Sequence, residues 1–412
     1  MKVKNLNQYL SYLILLFSSI WIFFCFNESS MALESIALFA LLLLLNPRSE
    51  NLKDVFFFLL ITMFFTGALF MSGRLMERGN YNIPWKFLVK FFHILFAAMC
   101  GSVMRNLSSR QKKRVVCFAL GSIAISSIVS LYYVLRVNSL AIRYRELVGI
   151  SQTFTFDQLF ALPLLAPALV LFYFRMKKNL KHKMLFIAAT AVIFLCVFFS
   201  VLTTAILITL VGLALVFLFT SFEKGNKMAI FWAILLVIFG AVLLFFRTQI
   251  GEFLYGIVGN MSTVVQQRLS RVIDMLFATD HANTYSMDRR FELADYSLDT
   301  FRSHPVFGIG IGGIKYGVIG YHQEWPDVLG VCGIVGTCVI AMAFYNYINK
   351  LLKRSTDKTD RMGCTIGLLL LLILGCLDPC LVLPELYIIM VILPNLSALV
   401  DDYKEGLVLK WN

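Results

Sequence analysis

The stretch FGIGIGGIKYGVIGYHQEWPDVLGVCGIVG, residues 307–336, is where two readings of this chain part. Gly308, Gly310 and Gly313 have the spacing of a dinucleotide-binding loop, and His322 follows shortly after. A phosphate loop would make the chain an α/β protein, because that fingerprint needs a strand before it, a helix opening on its last glycine and an acidic residue about 20 positions on. This stretch instead follows Ser303-His304-Pro305 and has no βαβ pattern around it. The glycines therefore read as backbone freedom for a tight, irregular path, not as a nucleotide cradle.

The surroundings set the class. Of 412 residues, 59% are hydrophobic and 15% charged, with a mean hydropathy of +0.78. That is more apolar surface than one soluble core can bury, and it predicts an all-α polytopic membrane protein. A helix crosses a hydrocarbon layer of ~30 Å with about 20 apolar residues. Runs of that order lie at 9–26, 31–46, 54–72, 85–104, 115–135, 157–174, 184–201, 203–220, 228–246, 328–348, 364–378 and 383–400. They predict about 12 transmembrane helices in a single integral membrane domain, 1–412, with a tight hairpin around Ser200. The first run has no small-residue cleavage site after it and reads as a retained span.

Basic residues orient such a chain, since Lys and Arg accumulate on the cytoplasmic side. With both termini cytoplasmic, well over half of the 37 Lys and Arg fall inside, in clusters at 105–114, 175–183 and 350–361. The net charge of +13 is therefore a topology signal and does not point to nucleic acid. Lys86 and Lys90 lie inside the fourth span, where long side chains can snorkel. The outward remainder concentrates in two loops: Arg136, Arg143 and Arg145 in one, and Arg247, Arg268, Arg271, Arg289, Arg290, Arg302 and Lys315 in the other. The second loop, 247–327, is large, extracytoplasmic and placed before the tenth span, and loops of that size are uncommon unless functional. Two arginine-bearing loops on one face suit an external anionic ligand. The nine cysteines show no disulfide framework or metal spacing, although Cys376 and Cys380 are near enough in sequence to approach each other.

Within the large loop, MDRRFELADYSLDTFRSHP (287–305) predicts a short amphipathic helix. Phe291, Ala294, Leu298 and Phe301 form its apolar face, Asp288 is the candidate N-cap, and Pro305 stops it. Arg289 and Arg290 then fall in its first turn, where the helix dipole disfavours cations. Guanidinium groups beside free helix N–H donors make an anion trap.

His322-Gln323, followed after nine residues by Gly333 and then Gly336, resembles the histidine motif of the O-antigen ligase and polysaccharide polymerase family, H-[N/S/Q]-x9-G-x-x-[G/T/Y]. The upstream RRFELADYSLDTFRSHPVFGIGIGG, 289–313, is similar to the same family's arginine, helix and Pro-x-x-Gly-x-Gly stretch, with Arg290 on the motif arginine. The resemblance covers 289–336, and the twelve-span layout agrees with it. It implies a GT-C-like, metal-independent membrane glycosyltransferase, without a cofactor, at the extracytoplasmic face of the bacterial plasma membrane. The donor it implies is a glycan on undecaprenyl diphosphate, and the implied partners are the lipid bilayer, a flippase and a chain-length regulator. Many relatives carry an arginine in the hairpin that here reads Ser200-Val201-Leu202-Thr203-Thr204-Ala205, so that arginine is absent. Arg143 or Arg145, with Arg289, are candidates for the missing diphosphate contact.

The residue types suit that chemistry independently. Glycosyl transfer from a lipid diphosphate needs a base for the acceptor hydroxyl and positive charge on the leaving group. His322 titrates in the right range to serve as base, and Arg290 offers a permanently charged fork for phosphate oxygens. One direct displacement would invert the anomeric carbon. No Asp-x-Asp pair stands in the outer loops to hold a divalent ion. Glu324 and Asp327 are candidates to orient His322 or to act as the base themselves. Polymerase is favoured over ligase, which would transfer the chain to lipid A-core or another surface acceptor. A lipid-linked sugar flippase is the competing class, but it should place ionisable residues and broken helices near the midplane in related repeats, and the spans show little of this.

Overall fold

The structure is a computed structural model. It describes residues 3–24, 28–47, 49–71, 83–136, 156–175, 180–199, 203–223, 247–259, 285–310, 317–354 and 357–399, together with positions 266, 270 and 273. Among these residues every regular element is helical. We number them α1 (Val3–Phe24), α2 (Glu28–Leu45), α3 (Ser49–Met71), α4 (Ile83–Met104), α5 (Ser109–Arg136), α6 (Phe156–Arg175), α7 (Leu180–Phe199), α8 (Thr203–Glu223), α9 (Arg247–Val258), α10 (Tyr285–Ser303), α11 (Glu324–Arg354), α12 (Lys358–Gly375) and α13 (Leu383–Tyr387). The last continues as a π turn, Ile388–Ile392, and a 3-10 segment, Leu393–Leu399.

The apolar runs of the sequence fall on these helices, except 228–246, which lies outside the described residues, as does the hairpin at Ser200. Among the described residues five helices are long and apolar enough to cross a membrane: Leu6–Phe24, Trp85–Met104, Ser109–Tyr132, Thr204–Ser221 and Glu324–Lys353. Shorter apolar helices lie at Leu33–Leu45, Leu159–Phe174, Phe186–Val197 and Leu383–Leu399. This is the build of a polytopic membrane protein.

The bundle is organised around α4 and the final helical run, the two elements with least exposed surface. An ordinary amphipathic helix has a polar face for water; α4 is apolar nearly all round and is enclosed on all sides. The final run reaches the same depth despite Pro394, which has no N–H for the Met390 carbonyl. Gly101 of α4 lies against that carbonyl, where a Cβ would come within 2.5 Å of it. Asn395 Nδ2 donates to Val391 O at 2.8 Å across the same irregular turn. Tyr387, fully buried, ties the run to α1 by a 2.9 Å hydrogen bond with Ser19 and an edge-on contact with Phe23.

The amphipathic helix of the large loop is present, with two differences from the sequence reading. It opens at Tyr285, so Asp288 lies inside it and Arg289-Arg290 stand in its second turn, away from the free N–H groups of the helix end. Its buried stripe is also rotated: Ala294, Ser297 and Thr300 are buried whereas Phe291 is 58% exposed. The polar partners of Ser297 and Thr300 explain the rotation. Cys376 and Cys380 are both free thiols, the first exposed and the second buried.

Candidate active site

The site is best built from its backbone outward. Helix α11 is interrupted at Gly333, whose φ of 62° and ψ of −172° are not helical. A break in an apolar helix frees N–H and C=O groups that lipid cannot satisfy. Here the segment Pro305–Gly310 satisfies them. Ile309 N and Gly310 N donate to Gly330 O and Val331 O at 3.1 and 2.8 Å, and Ile334 N and Val335 N donate to Pro305 O and Val306 O at 2.8 and 3.1 Å. Thr337 Oγ1 also donates to Gly333 O at 2.6 Å. The Gly-x-Gly spacing therefore serves a backbone splint. A Cβ on Gly308, itself at φ 64°, would lie 2.3 Å from Val331 O, and one on Gly333 would lie 2.4 Å from Val306 O. Gly336, in the following turn, packs on Cys332, with only 2.7 Å between a Cβ there and that of the cysteine.

From the splint the chain returns along α10. Val318 N donates to Thr300 Oγ1 at 3.0 Å, and that hydroxyl donates back to Val318 O at 2.7 Å. Gly320 N donates to Ser297 Oγ at 2.9 Å, whose own proton goes to Asp327 Oδ1 at 2.6 Å. These bonds fix residues 317–320 to the arginine-bearing helix. Position 290 lies two turns before Ser297 on the same stripe of α10, ~10 Å along the axis.

Tyr321 follows with φ 60°, the one non-glycine residue at positive φ among the described residues. Such a conformation costs on the order of 1 kcal/mol and is kept where the surroundings impose it. Lys86 Nζ lies 3.6 Å from the centroid of its ring, a cation–π contact that holds the ring against α4. Burial, then the nearby Asp327 carboxylate, pushes the Tyr321 hydroxyl above the ordinary phenol range, so it stays protonated. His322 and Gln323 come next, both half-buried, and the Gln323 carbonyl accepts from Asp327 N at 3.2 Å.

Glu324 opens α11 and is completely buried. Oε1 lies 2.6 Å from Lys90 Nζ, and Oε2 accepts from Cys380 N and Leu381 N at 3.0 and 3.1 Å. Both oxygens thus have donors, which tie the start of α11 to α4 and to the Cys380–Leu381 backbone. Lys90 does not snorkel: its side chain is 11% exposed and paired. Asp327 is buried as well, with Oδ1 on Ser297 and no hydrogen bond to Oδ2 among the described residues. Trp325 completes the corner, donating from Nε1 to Leu372 O at 2.7 Å across the face of Gly375.

The structure places His322, Gln323 and Glu324 at the start of α11 and ties the segment just before them to α10, the helix that carries Arg289 and Arg290, while Gly333 and Gly336 lie farther along α11, against the splint and Cys332. Arg143 and Arg145 lie outside the described residues. Among the described residues no three His, Cys, Asp or Glu side chains converge in a way that could hold a metal ion. Sequence reasoning took Lys90 for a snorkelling lysine and passed over Ser297 and Thr300. A lysine two turns inside an apolar helix was the available signal, because such a charge needs a partner.

Residues 188–341 match the family model described as O-antigen ligase. The matched stretch runs from α7 to Ala341 in α11, so it takes in the arginine helix, the splint and the histidine corner. The family that the His322 motif resembles is the one whose model matches this stretch, and the match supports a function of the O-antigen ligase and polymerase type in general. A comparison with curated proteins gives no match. The O-antigen ligase family region ends inside α11, so Lys86 and Lys90 on α4, and Cys380 and Leu381 beyond α12, lie outside it yet contribute to its corner.

Proposed function

We propose that this protein is a metal-independent, inverting glycosyltransferase that polymerises oligosaccharide repeat units carried on undecaprenyl diphosphate, at the extracytoplasmic face of the plasma membrane. His322 takes the proton of the acceptor hydroxyl as that oxygen attacks the anomeric carbon. The glycosyl–phosphate bond breaks on the opposite side, and Arg290, with Arg289, stabilises the departing diphosphate. Arg143 and Arg145 are the candidates for a second contact to it.

The observation that carries the reading is the double anchoring of the 317–324 segment. It is bonded on one side to the helix that bears Arg290 and on the other to the bundle core through Glu324. A base and an anion contact must keep a fixed separation to act in one displacement, and this anchoring supplies it.

The test is transfer by purified protein from a synthetic polyprenyl-diphosphate glycan, scored as new glycosidic bonds across pH. Rate should fall on the acid side as the imidazole takes up a proton, and His322→Ala should remove that limb with at least a hundredfold of the rate. A fully active His322→Ala variant would overturn the assignment. With a second lipid-linked repeat unit as acceptor the product lengthens by one unit; transfer only to lipid A-core would make the protein a ligase.

A further inference from the structure

We propose that Lys90, acting through Glu324, is a positioning residue of the transfer reaction: the buried pair fixes the His322 segment against α4 and sets the charge that the imidazole meets. The inference rests on His322 as base and extends the site to a helix outside the matched family region.

Three separate parts of the chain meet at the Glu324 carboxylate: α4 through Lys90, the start of α11, and the Cys380–Leu381 backbone. His322 is two residues from this junction, so its Cα is within ~7 Å of that of Glu324. On the other side, Lys86 lies on the ring of Tyr321, the residue immediately before the histidine. The two lysines stand one helical turn apart on α4 and grip the segment on either side of His322. Stability alone gives little reason for such a pair, because a well-packed apolar pair of equal volume in a buried place is commonly as stable or more so. What an ion pair adds is a defined direction and a defined charge, and both matter beside a group that must gain and lose a proton.

Among the described residues the charged and titratable groups on the surrounding elements are Lys86, Lys90 and His93 from α4, Arg289, Arg290, Glu292, Asp295, Asp299 and Arg302 on α10, Tyr321, Glu324, Asp327 and Cys332 beside or after the histidine, and Cys376, Asp378, Cys380 and Glu385 from the segment that follows α12. Removing one member of the pair therefore changes the local charge by one unit while the others stay in place. Glu324→Gln leaves Lys90 positive and disfavours the imidazolium, so the acid limb should move to lower pH. Lys90→Met leaves the carboxylate and favours the imidazolium, so the limb should move to higher pH.

The experiment compares wild type, Lys90→Met, Glu324→Gln and the uncharged double variant, with His322→Ala as reference, using the same synthetic lipid-diphosphate donor. Each single variant should lose at least about tenfold in kcat with KM for the donor within about twofold, since small misplacement of a reacting group has effects of that size. The two limbs should shift in opposite directions, and the double variant should return the limb to the wild-type position. Glu324→Asp keeps the charge and shortens the reach, so it should lose rate with an unmoved limb; it serves where another variant does not fold. Wild-type kcat and unmoved limbs in folded single variants, alongside an inactive His322→Ala, would overturn this proposal and leave the base assignment standing. An active His322→Ala would overturn both.

Discussion

The protein has ion pairs near both ends of α4 and α11, one buried and one partly exposed, and they are built differently. Lys90 and Arg105 stand on or just past α4, ~22 Å apart along it, and Glu324 and Lys350 are ~39 Å apart along α11. At the histidine end one lysine meets one carboxylate in a dry corner. At the opposite end Asp54 accepts from Arg105 and Ser102, each at 3.1 Å, and lies 3.5 Å from Lys350. Asn51 accepts from Arg105 and Ser102 in parallel, at 3.1 and 3.0 Å. A cavity of about 270 Å³, lined by Asp54, Ser102, Arg105, Lys112 and Asn395 among others, opens beside this cluster. There, Arg105 and Lys350 are 23% and 40% exposed and can turn to solvent if a partner is lost. Lys90 has no such outlet. The same two helices therefore carry a redundant staple at one end and a single, brittle junction at the other, and the brittle one lies next to His322.

Three substitutions test that contrast by unfolding free energy in detergent. Glu324→Ala should cost most, about 3–5 kcal/mol, because it leaves an ammonium and two backbone N–H groups buried without an acceptor. A cost below that of any change in the Asp54 cluster would reverse the comparison. Asp54→Ala should cost less, about 1–3 kcal/mol, since Arg105 keeps Asn51 and gains access to water. Lys350→Met should cost less than about 1 kcal/mol and lose even that in high salt, as expected of a half-exposed pair. A loss in Lys350→Met as large as in Glu324→Ala would show that the two ends do not differ.

Much of this was legible in the sequence, and the part that was not has one physical source. Among the described residues helices lie on the long apolar runs, because that signal is local and the chain carries its own evidence for it. The arginine helix was legible too, but its face was not. Periodicity chose Phe291 for burial, whereas Ser297 is buried because Gly320 and Asp327, tens of residues away, satisfy its hydroxyl. Lys90 read as a snorkelling lysine because nothing near it in sequence offers a carboxylate; its partner is 234 residues on. His322, Gly333 and Gly336 were found by spacing, but that Gly333 breaks a helix and Pro305–Gly310 mends it is a pairing across the chain, which spacing alone does not reveal.

The splint at Gly333 has a consequence for how the protein is made. Translation delivers Pro305–Gly310 before any residue of α11, so the piece that closes the gap is already outside the ribosome when the gap emerges. The upper part of α11, Glu324–Cys332, is too short to cross a membrane by itself, and its freed carbonyls would meet lipid at several kcal/mol each if it entered alone. Insertion of α11 is therefore a joint event with its splint.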